Sequence, residues 1–370
     1  MTILKEPRLK NFKSFADEQT IPFAPMTVFV GANGSGKSNA LDAIRFLQGF
    51  HQGLSLTQVL DGHIEGGRVT FPGVRGGING LAWNSSSPTS VSFILEFCVD
   101  SAQIESQPTP EGHNSDCIVR HDLRFDVFMP KTTLPSIASE RLSVSSDGSE
   151  RELVKARHYD QPGPNIEFRA GANTLMCNES HFLASTLTQV DFDDDDVSGS
   201  GPNQDGFETS AKWARQIVRN YRRSWGRIRQ LDLQPDEMSG YADIRSVELE
   251  SNGRNISGVV RHICQNTENK RRLIEWVSAL CSPRVEDIEF IETEAGDVLL
   301  QVFEDVDQGR PISPKSLSDG TLRFLGLLAA VFSVPEGTTL ILEEIENGLH
   351  PHRVHLLVEL FEQFAAERKI

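Results

Sequence analysis

The stretch Gly31-Ala32-Asn33-Gly34-Ser35-Gly36-Lys37-Ser38 constrains this chain more than any other, because it matches G-x-x-x-x-G-K-[ST] at every fixed position. Roughly one chain in a hundred of this length would match by chance, and the flanks remove most of that risk. Met26–Val30 reads as a buried strand before the loop, and a helix follows from Lys37 with apolar positions at Leu41, Ile44 and Leu47. In a strand–loop–helix of this kind the glycines let backbone N–H groups turn inward around phosphate oxygens, and the helix N-terminus adds partial positive charge. Lys37 is placed to reach the β- and γ-phosphates of ATP, and Ser38 to ligate Mg²⁺. Asn33, Gly34, Ser35, Gly36, Lys37, Ser38 and Asn39 are therefore the candidate ATP-binding residues.

A second motif lies near the other end of the chain. Leu340-Ile341-Leu342-Glu343-Glu344 is an apolar strand ending in two carboxylates. Glu343 is the candidate Mg²⁺ ligand beside Ser38, and Glu344 the candidate catalytic residue that orients or deprotonates the attacking water. Alone such an ending is a solvated strand end; paired with the phosphate loop it gains meaning. Just before it, Leu317-Ser318-Asp319-Gly320-Thr321-Leu322-Arg323 opens a helix with Ser318 or Asp319 as the cap. A serine and a glycine backbone at a helix start make an anion site.

Between these ends the texture changes twice. From about residue 60 to 190 alternating segments, such as Phe93, Leu95, Phe97, Val99 and then Leu123, Phe125, Val127, predict an antiparallel β region. Asp191–Gly206 has loop composition, and its run Asp193–Asp196 reads as solvated carboxylates. Helices are expected at roughly 208–230 and 256–281, strands again over Val285–Phe303 with a turn at Gly296, a helix from Leu317, a buried strand Thr339–Leu342 and a last helix from Pro351. In that last helix Val354, Leu357, Val358, Phe361, Phe364 and Ala365 share one face.

Composition narrows the partners. Five scattered cysteines with no C-x-x-C pair signal neither disulfides nor zinc and fit a reducing cytoplasm. No apolar run approaches the roughly eighteen residues that span a bilayer, so no membrane is expected. A net charge of −16 repels nucleic acid at long range. Any DNA contact must come from Lys212–Arg229, which holds seven basic residues and no acidic one. There Trp213, Ile217, Tyr221, Trp225 and Ile228 form one stripe and read as core, while Arg215, Arg219, Arg222 and Arg223 lie elsewhere on the cylinder. His350, His352 and His355 open a helix without a carboxylate or cysteine at matching geometry, which disfavours a metal site.

Taken together, Asn11-Phe12-Lys13-Ser14-Phe15, the loop Gly31–Ser38, the run Leu317–Leu325 and Glu343–Pro351 resemble the ABC-class ATPases of the RecF, SMC and OLD-like type. The resemblance implies an α/β fold, a P-loop ABC-type ATPase head with a large antiparallel β region and a helical lid insertion. On that pattern residues 1–205 and 285–370 are the two halves of the head and 206–284 the lid. It implies that Ser318, Asp319 and Gly320 act in trans on a partner's ATP, so that heads form a homodimer or higher homo-oligomer, and that Asn11 and Lys13 lie near the nucleotide. It further implies a switch in DNA repair or antiphage defence working with a nuclease or other effector; an ATP-stabilised scaffold with slow turnover is the alternative. Two departures stand out: glutamate replaces the usual aspartate at 343, and the glutamine loop has only Gln189 as its candidate. The chain also ends at Ile370, where the family pattern continues into a strand with a switch histidine.

Overall fold

The computed structural model describes residues 2–4, 6–83, 89–99, 117–127, 136–146, 149–157, 166–170, 173–177, 216–306, 309–343, 345 and 351–368. The chain divides into two compact units, Met1–Gly226 and Arg227–Ile370. Both mix helices with sheet, so the fold class is α/β. No helix among the described residues is long and apolar enough to cross a membrane.

In the first unit the alternating segments form an antiparallel sheet. Its strands are β1 (Thr2–Leu4), β2 (Arg8–Lys10), β3 (Gln19–Thr20), β6 (Thr89–Val99), β7 (Cys117–Val127), β8 (Ser136–Ser146), β9 (Ser149–Arg157), β10 (Ile166–Ala170) and β11 (Asn173–Cys177); β4 (His63–Glu65) and β5 (Arg68–Phe71) make a separate hairpin. The order is β11-β10-β9-β8-β7-β6-β2-β3, with β1 also on β6. Period-two alternation sends Val91, Phe93 and Leu95 of β6 and Leu123 of β7 inward. Helix α1 (Lys37–His51) lays Ala43, Phe46, Leu47 and Phe50 into the same core. Phe46 stacks on Phe93 with ring centroids 5.4 Å apart, and Phe12 meets Phe93 edge-on at 5.3 Å; such pairs add about 0.5–1.5 kcal/mol beyond their buried area. Helix α2 (Leu56–Asp61) begins with a capping box between Ser55 and Gln58.

Met26–Val30 departs from the expectation of a buried strand. No strand forms there, and Val28 and Val30 are 51% and 89% exposed. An apolar run becomes a buried strand only where neighbours take its backbone hydrogen bonds, and no described strand pairs with it. The helix expected over 208–230 is described from 216 and ends at Gly226; this is α3 (216–226). Its Ile217, Tyr221 and Trp225 are buried, as the stripe predicts for core residues, whereas Arg219 and Arg223 are exposed and Arg222 half-buried. Trp213, Arg215, Asp191–Gly206 and His350 lie outside the described residues.

Where α1 ends, α3 crosses a buried polar cluster. The Tyr221 hydroxyl lies 2.6 Å from His121 Nδ1 and 3.1 Å from His51 Nε2, His121 Nε2 lies 3.1 Å from Glu140 Oε1, and His51 Nδ1 donates to the Leu47 carbonyl at 2.8 Å. Trp225 stacks on His51, with centroids 4.6 Å apart. None of these five side chains has more than slight solvent contact.

The second unit begins with β12 (Ile228–Leu231), which pairs in parallel with β17 (Thr339–Leu342), Gln230 opposite Ile341. A separate antiparallel sheet holds β13 (Ala242–Asp243), β14 (Val285–Glu292), β15 (Asp297–Glu304) and β16 (Pro311–Ile312), ordered β13-β15-β14 with β16 on β15. The β14–β15 hairpin turns at Gly296, whose φ of +86° suits glycine, as the sequence predicts. The helices are α4 (Pro235–Met238), α5 (Ile256–Cys264), α6 (Thr267–Leu280), α7 (Asp319–Ser333) and α8 (Pro351–Arg368). Helix α7 is apolar nearly all round and forms the centre of the core, with Leu322, Leu325, Leu328 and Ala329 buried. Helix α8 turns Leu357, Leu360 and Phe364 inward, so the buried stripe includes Leu360 and leaves Val354 at its margin.

Burial pushes the His51 imidazole well below its ordinary 6.5, and repulsion from His121 and Arg222 lowers it further against the opposing Leu47 hydrogen bond. The unfolded chain therefore takes up a proton that the folded chain refuses, so stability is full above pH 6.5 and declines as the pH falls below it. Denaturant melts of the full chain at stepped pH should show this acid limb, and His51→Gln, which has no proton to gain, should shallow it; an unchanged slope would count against the assignment.

Candidate nucleotide site

The phosphate loop ends where α1 begins. Gly36 is the helix N-cap at φ +99°, no side chain caps the helix, and no acidic residue stands in its first turn. A carbon at Cβ of Gly31 would meet Ser35 Oγ at 2.7 Å, so a side chain there would displace that hydroxyl. The Lys37 ammonium folds across the loop and donates to the Gly31 and Ala32 carbonyls at 2.5 and 3.1 Å. Gly31–Ser35 are exposed and Gly36–Asn39 half-buried. An uncapped helix start, an ammonium and the Ser38 hydroxyl form a donor set that fits a polyphosphate with Mg²⁺.

Residues 11–15 brace that helix start from one side. Asn11 and Lys13 both adopt positive φ, +58° and +50°. The turn is held by Lys13 N–H on the Leu81 carbonyl (2.8 Å), Trp83 N–H on the Asn11 carbonyl (3.0 Å) and the fully buried Phe12 ring. Ser14 Oγ accepts from Asn39 Nδ2 at 2.7 Å, and a Cβ on Gly36 would press on Ser14 Oγ and the Phe15 ring at 3.3–3.4 Å. Lys13 Nζ donates to Asp42 Oδ2 (2.5 Å) and to the Arg75 carbonyl (2.6 Å), while Asn11 Nδ2 donates to the Ser90 carbonyl (3.0 Å). The side chains of Asn11 and Lys13 thus bond to the scaffold around α1.

In the second unit β17 carries Glu343 at its end, where the carboxylate accepts from Gln230 Nε2 at 2.7 Å. Glu343 and Arg323, from the second turn-face of α7, line one small cavity with Leu231 and Leu342. Ser318 is the α7 N-cap: its Oγ accepts from the Thr321 N–H at 3.1 Å and lies 2.9 Å from Thr321 Oγ1. Ser318 and Asp319 are exposed, Gly320 half-buried. Glu344 and Gln189 lie outside the described residues.

Residues 206–370 match the family described as AAA domain, putative AbiEii toxin, Type IV TA system, and residues 3–60 match the RecF/RecN/SMC N terminal domain. Over 47 residues the chain is 60% identical to the chromosome partition protein Smc of Halothermothrix orenii, a match that covers 12% of this chain and 4% of that protein. It is 21% identical over 359 residues to an ATP/GTP phosphatase of Helicobacter pylori, covering 96% of this chain and 80% of the relative. Among solved structures it aligns to the SMC head domain from Thermotoga maritima at 15% identity and a TM-score of 0.37, over 98% of this chain and 86% of the other. Both ends of the chain thus match ATPase family models, the N-terminal one that of the RecF/RecN/SMC type.

The structure brings Gln230 to the acidic strand end, a placement that the sequence reading missed. Gln230 sits one residue from the end of the short strand Ile228–Leu231, and its parallel pairing with β17 is visible only in the structure. Because Gln230 is half-buried and its amide holds one Glu343 oxygen, we expect Gln230→Ala to lower ATP turnover by about 10–100-fold with little change in melting temperature. Turnover within twofold of the unsubstituted protein would show that Glu343 is positioned without it.

Proposed function

We propose that this chain is an ATP-hydrolysing head that closes head-to-tail on a second head around nucleotide, and that this closure is the switch by which it signals to a nuclease or other effector in antiphage defence or DNA repair. The observation that carries the reading is the exposed phosphate loop leading into an uncapped helix start. A relative named for ATP/GTP phosphatase activity supports hydrolysis, and a matching family described with a toxin–antitoxin system favours defence. On this reading residues 1–205 and 285–370 form the head and 206–284 its lid, the protein works in the cytoplasm, and any DNA contact falls on Arg215–Arg229.

The roles follow from the residues. Lys37 leaves the Gly31 and Ala32 carbonyls to neutralise the β- and γ-phosphates, and backbone N–H groups of Asn33–Ser38 surround them. Ser38 and Glu343 hold Mg²⁺, which supplies charge neutralisation on the phosphates. Glu344 orients the attacking water and accepts its proton. Ser318 and Gly320, at the start of α7 where Ser318 and Asp319 are exposed, face the partner's nucleotide, whose negative charge suits a helix N-terminus.

Two substitutions test this. Lys37→Ala should abolish ATP binding by calorimetry, since the glycine N–H dipoles cannot replace a full charge; retained affinity would sink the nucleotide assignment. Glu344→Gln keeps size and hydrogen bonding but cannot take a proton, so turnover should fall by about 10²–10⁴-fold while ATP still binds. Light scattering should then show the closed dimer accumulating with Mg²⁺-ATP. Should the mass be constant, cysteines placed near Ser35 and Ser318 must crosslink between chains only with ATP, and a crosslink indifferent to ATP would refute head closure.

A further inference from the structure

Asp42 is buried on α1, one turn beyond Ser38, with only 1% of its side chain exposed, and three cations surround it: Lys13 at 2.5 Å, Arg75 at 3.2 Å and Arg45 at 3.9 Å. Arg75 does more than neutralise it. Its Nε reaches both Asp42 oxygens at 3.2 Å while its Nη2 donates to the Ser38 carbonyl at 2.7 Å. Residues 38 and 42 stand four apart on one helix face, the spacing a planar guanidinium can span. We infer that Arg75 is a positioning residue for the Mg²⁺ site: anchored on Asp42, it fixes the peptide plane of Ser38 and so aims the Ser38 hydroxyl. This rests on the reading of Ser38 as a Mg²⁺ ligand.

The backbone that presents Arg75 is rigid. Val74 is buried with its N–H on the Leu60 carbonyl at 3.0 Å, and Gly77 N–H closes a turn on the Val74 carbonyl at 2.9 Å. Gly73, at φ +77°, packs so tightly that a Cβ would lie 2.6 Å from the Gly62 nitrogen. The Arg75 carbonyl is itself held by Lys13 Nζ at 2.6 Å, and Lys13 returns to Asp42. Lys13, Asp42 and Arg75 therefore close a ring of hydrogen bonds, with Ser38 attached to its one member whose side chain is half exposed, Arg75 at 49%. A pure fold strut would need the ion pair to Asp42 and nothing on Ser38.

The test uses the full chain, ATP and MgCl₂ in calorimetry, with Arg75→Lys, Arg75→Ala and Ser38→Ala. Lysine preserves a cation for Asp42 but cannot bond Asp42 and the Ser38 carbonyl together, so it keeps the fold while losing the bridge. Both Arg75 variants should bind ATP in EDTA within twofold of the unsubstituted protein, yet need about 10-fold more Mg²⁺ to reach half of the Mg²⁺-dependent gain in affinity. If Ser38→Ala shifts the Mg²⁺ requirement and the Arg75 variants do not, the positioning role is overturned and the ligand reading stands. If Arg75→Lys behaves as the unsubstituted protein while Arg75→Ala does not, charge alone matters and the bridge is overturned. If Ser38→Ala leaves the Mg²⁺ requirement unchanged, the ligand reading fails and this inference falls with it.

Discussion

A carboxylate taken out of water costs several kcal/mol unless cations and hydrogen bonds replace its hydration, and α1 carries one at Asp42 in its second turn. Much of the first unit's arrangement around the phosphate loop answers that requirement. Lys13 can reach Asp42 because residues 11–15 turn tightly enough to put two non-glycine residues at positive φ, a conformation that costs on the order of 1–3 kcal/mol per residue where it is strained. The turn persists because Phe12 is driven into the aromatic core and the Lys13 and Trp83 amides find carbonyls across it. Arg75 reaches the same carboxylate from the segment after β5. A single buried charge thus gathers two distant segments onto the start of the helix that carries the loop.

The other end of α1 is tied by different chemistry. Leu47 and Phe50 continue the apolar face set by Phe46, but His51 closes the helix inside the protein rather than at its surface. Its Nδ1–H returns to the Leu47 carbonyl, one of the last helical acceptors, which leaves Nε2 to accept from Tyr221 of α3. Burial raises the Tyr221 phenol well above its ordinary value, so it stays a hydroxyl and can serve as that donor. The helix is therefore fixed at its first turns by ion pairs and at its last by a buried hydrogen-bonded cluster, with stacked phenylalanines between. Motion of the phosphate loop relative to the β sheet would have to break one of these ties.

How much of this could be read from sequence depended on whether a residue's role is local. The glycine loop running into a helix at Lys37 was legible because glycine spacing marks such a turn, and the β region because side chains in a strand alternate. The α7 N-cap was legible too, since Ser318 and Thr321 lie within one turn. Met26–Val30 was misread because an apolar run specifies that something must cover it, not that a strand neighbour exists. The ring of Lys13, Asp42 and Arg75 was invisible, as its members are 29 and 33 residues apart and each is an ordinary charged residue alone. Asn11 and Lys13 entered the reading through resemblance, and their side chains are found bonded to the scaffold beside the loop.

The glutamate at 343 poses the same question of distance in the second unit. Relative to aspartate it adds one methylene and one rotatable bond, so its carboxylate reaches farther but is less confined, and confinement costs side-chain entropy. If Glu343 holds Mg²⁺ as proposed, its orientation matters, because partners that orient ligands affect affinity nearly as much as the ligands themselves. Gln230 can orient it because β12 lies parallel to β17 in a register that sets Gln230 opposite Ile341, two residues before Glu343. Its amide then projects past the strand end and donates at 2.7 Å to the carboxylate. The longer acid and the neighbouring amide form one device: shortening Glu343 to the aspartate common in the family would draw the carboxylate back from Gln230, so the departure at 343 is read together with the residue that holds it.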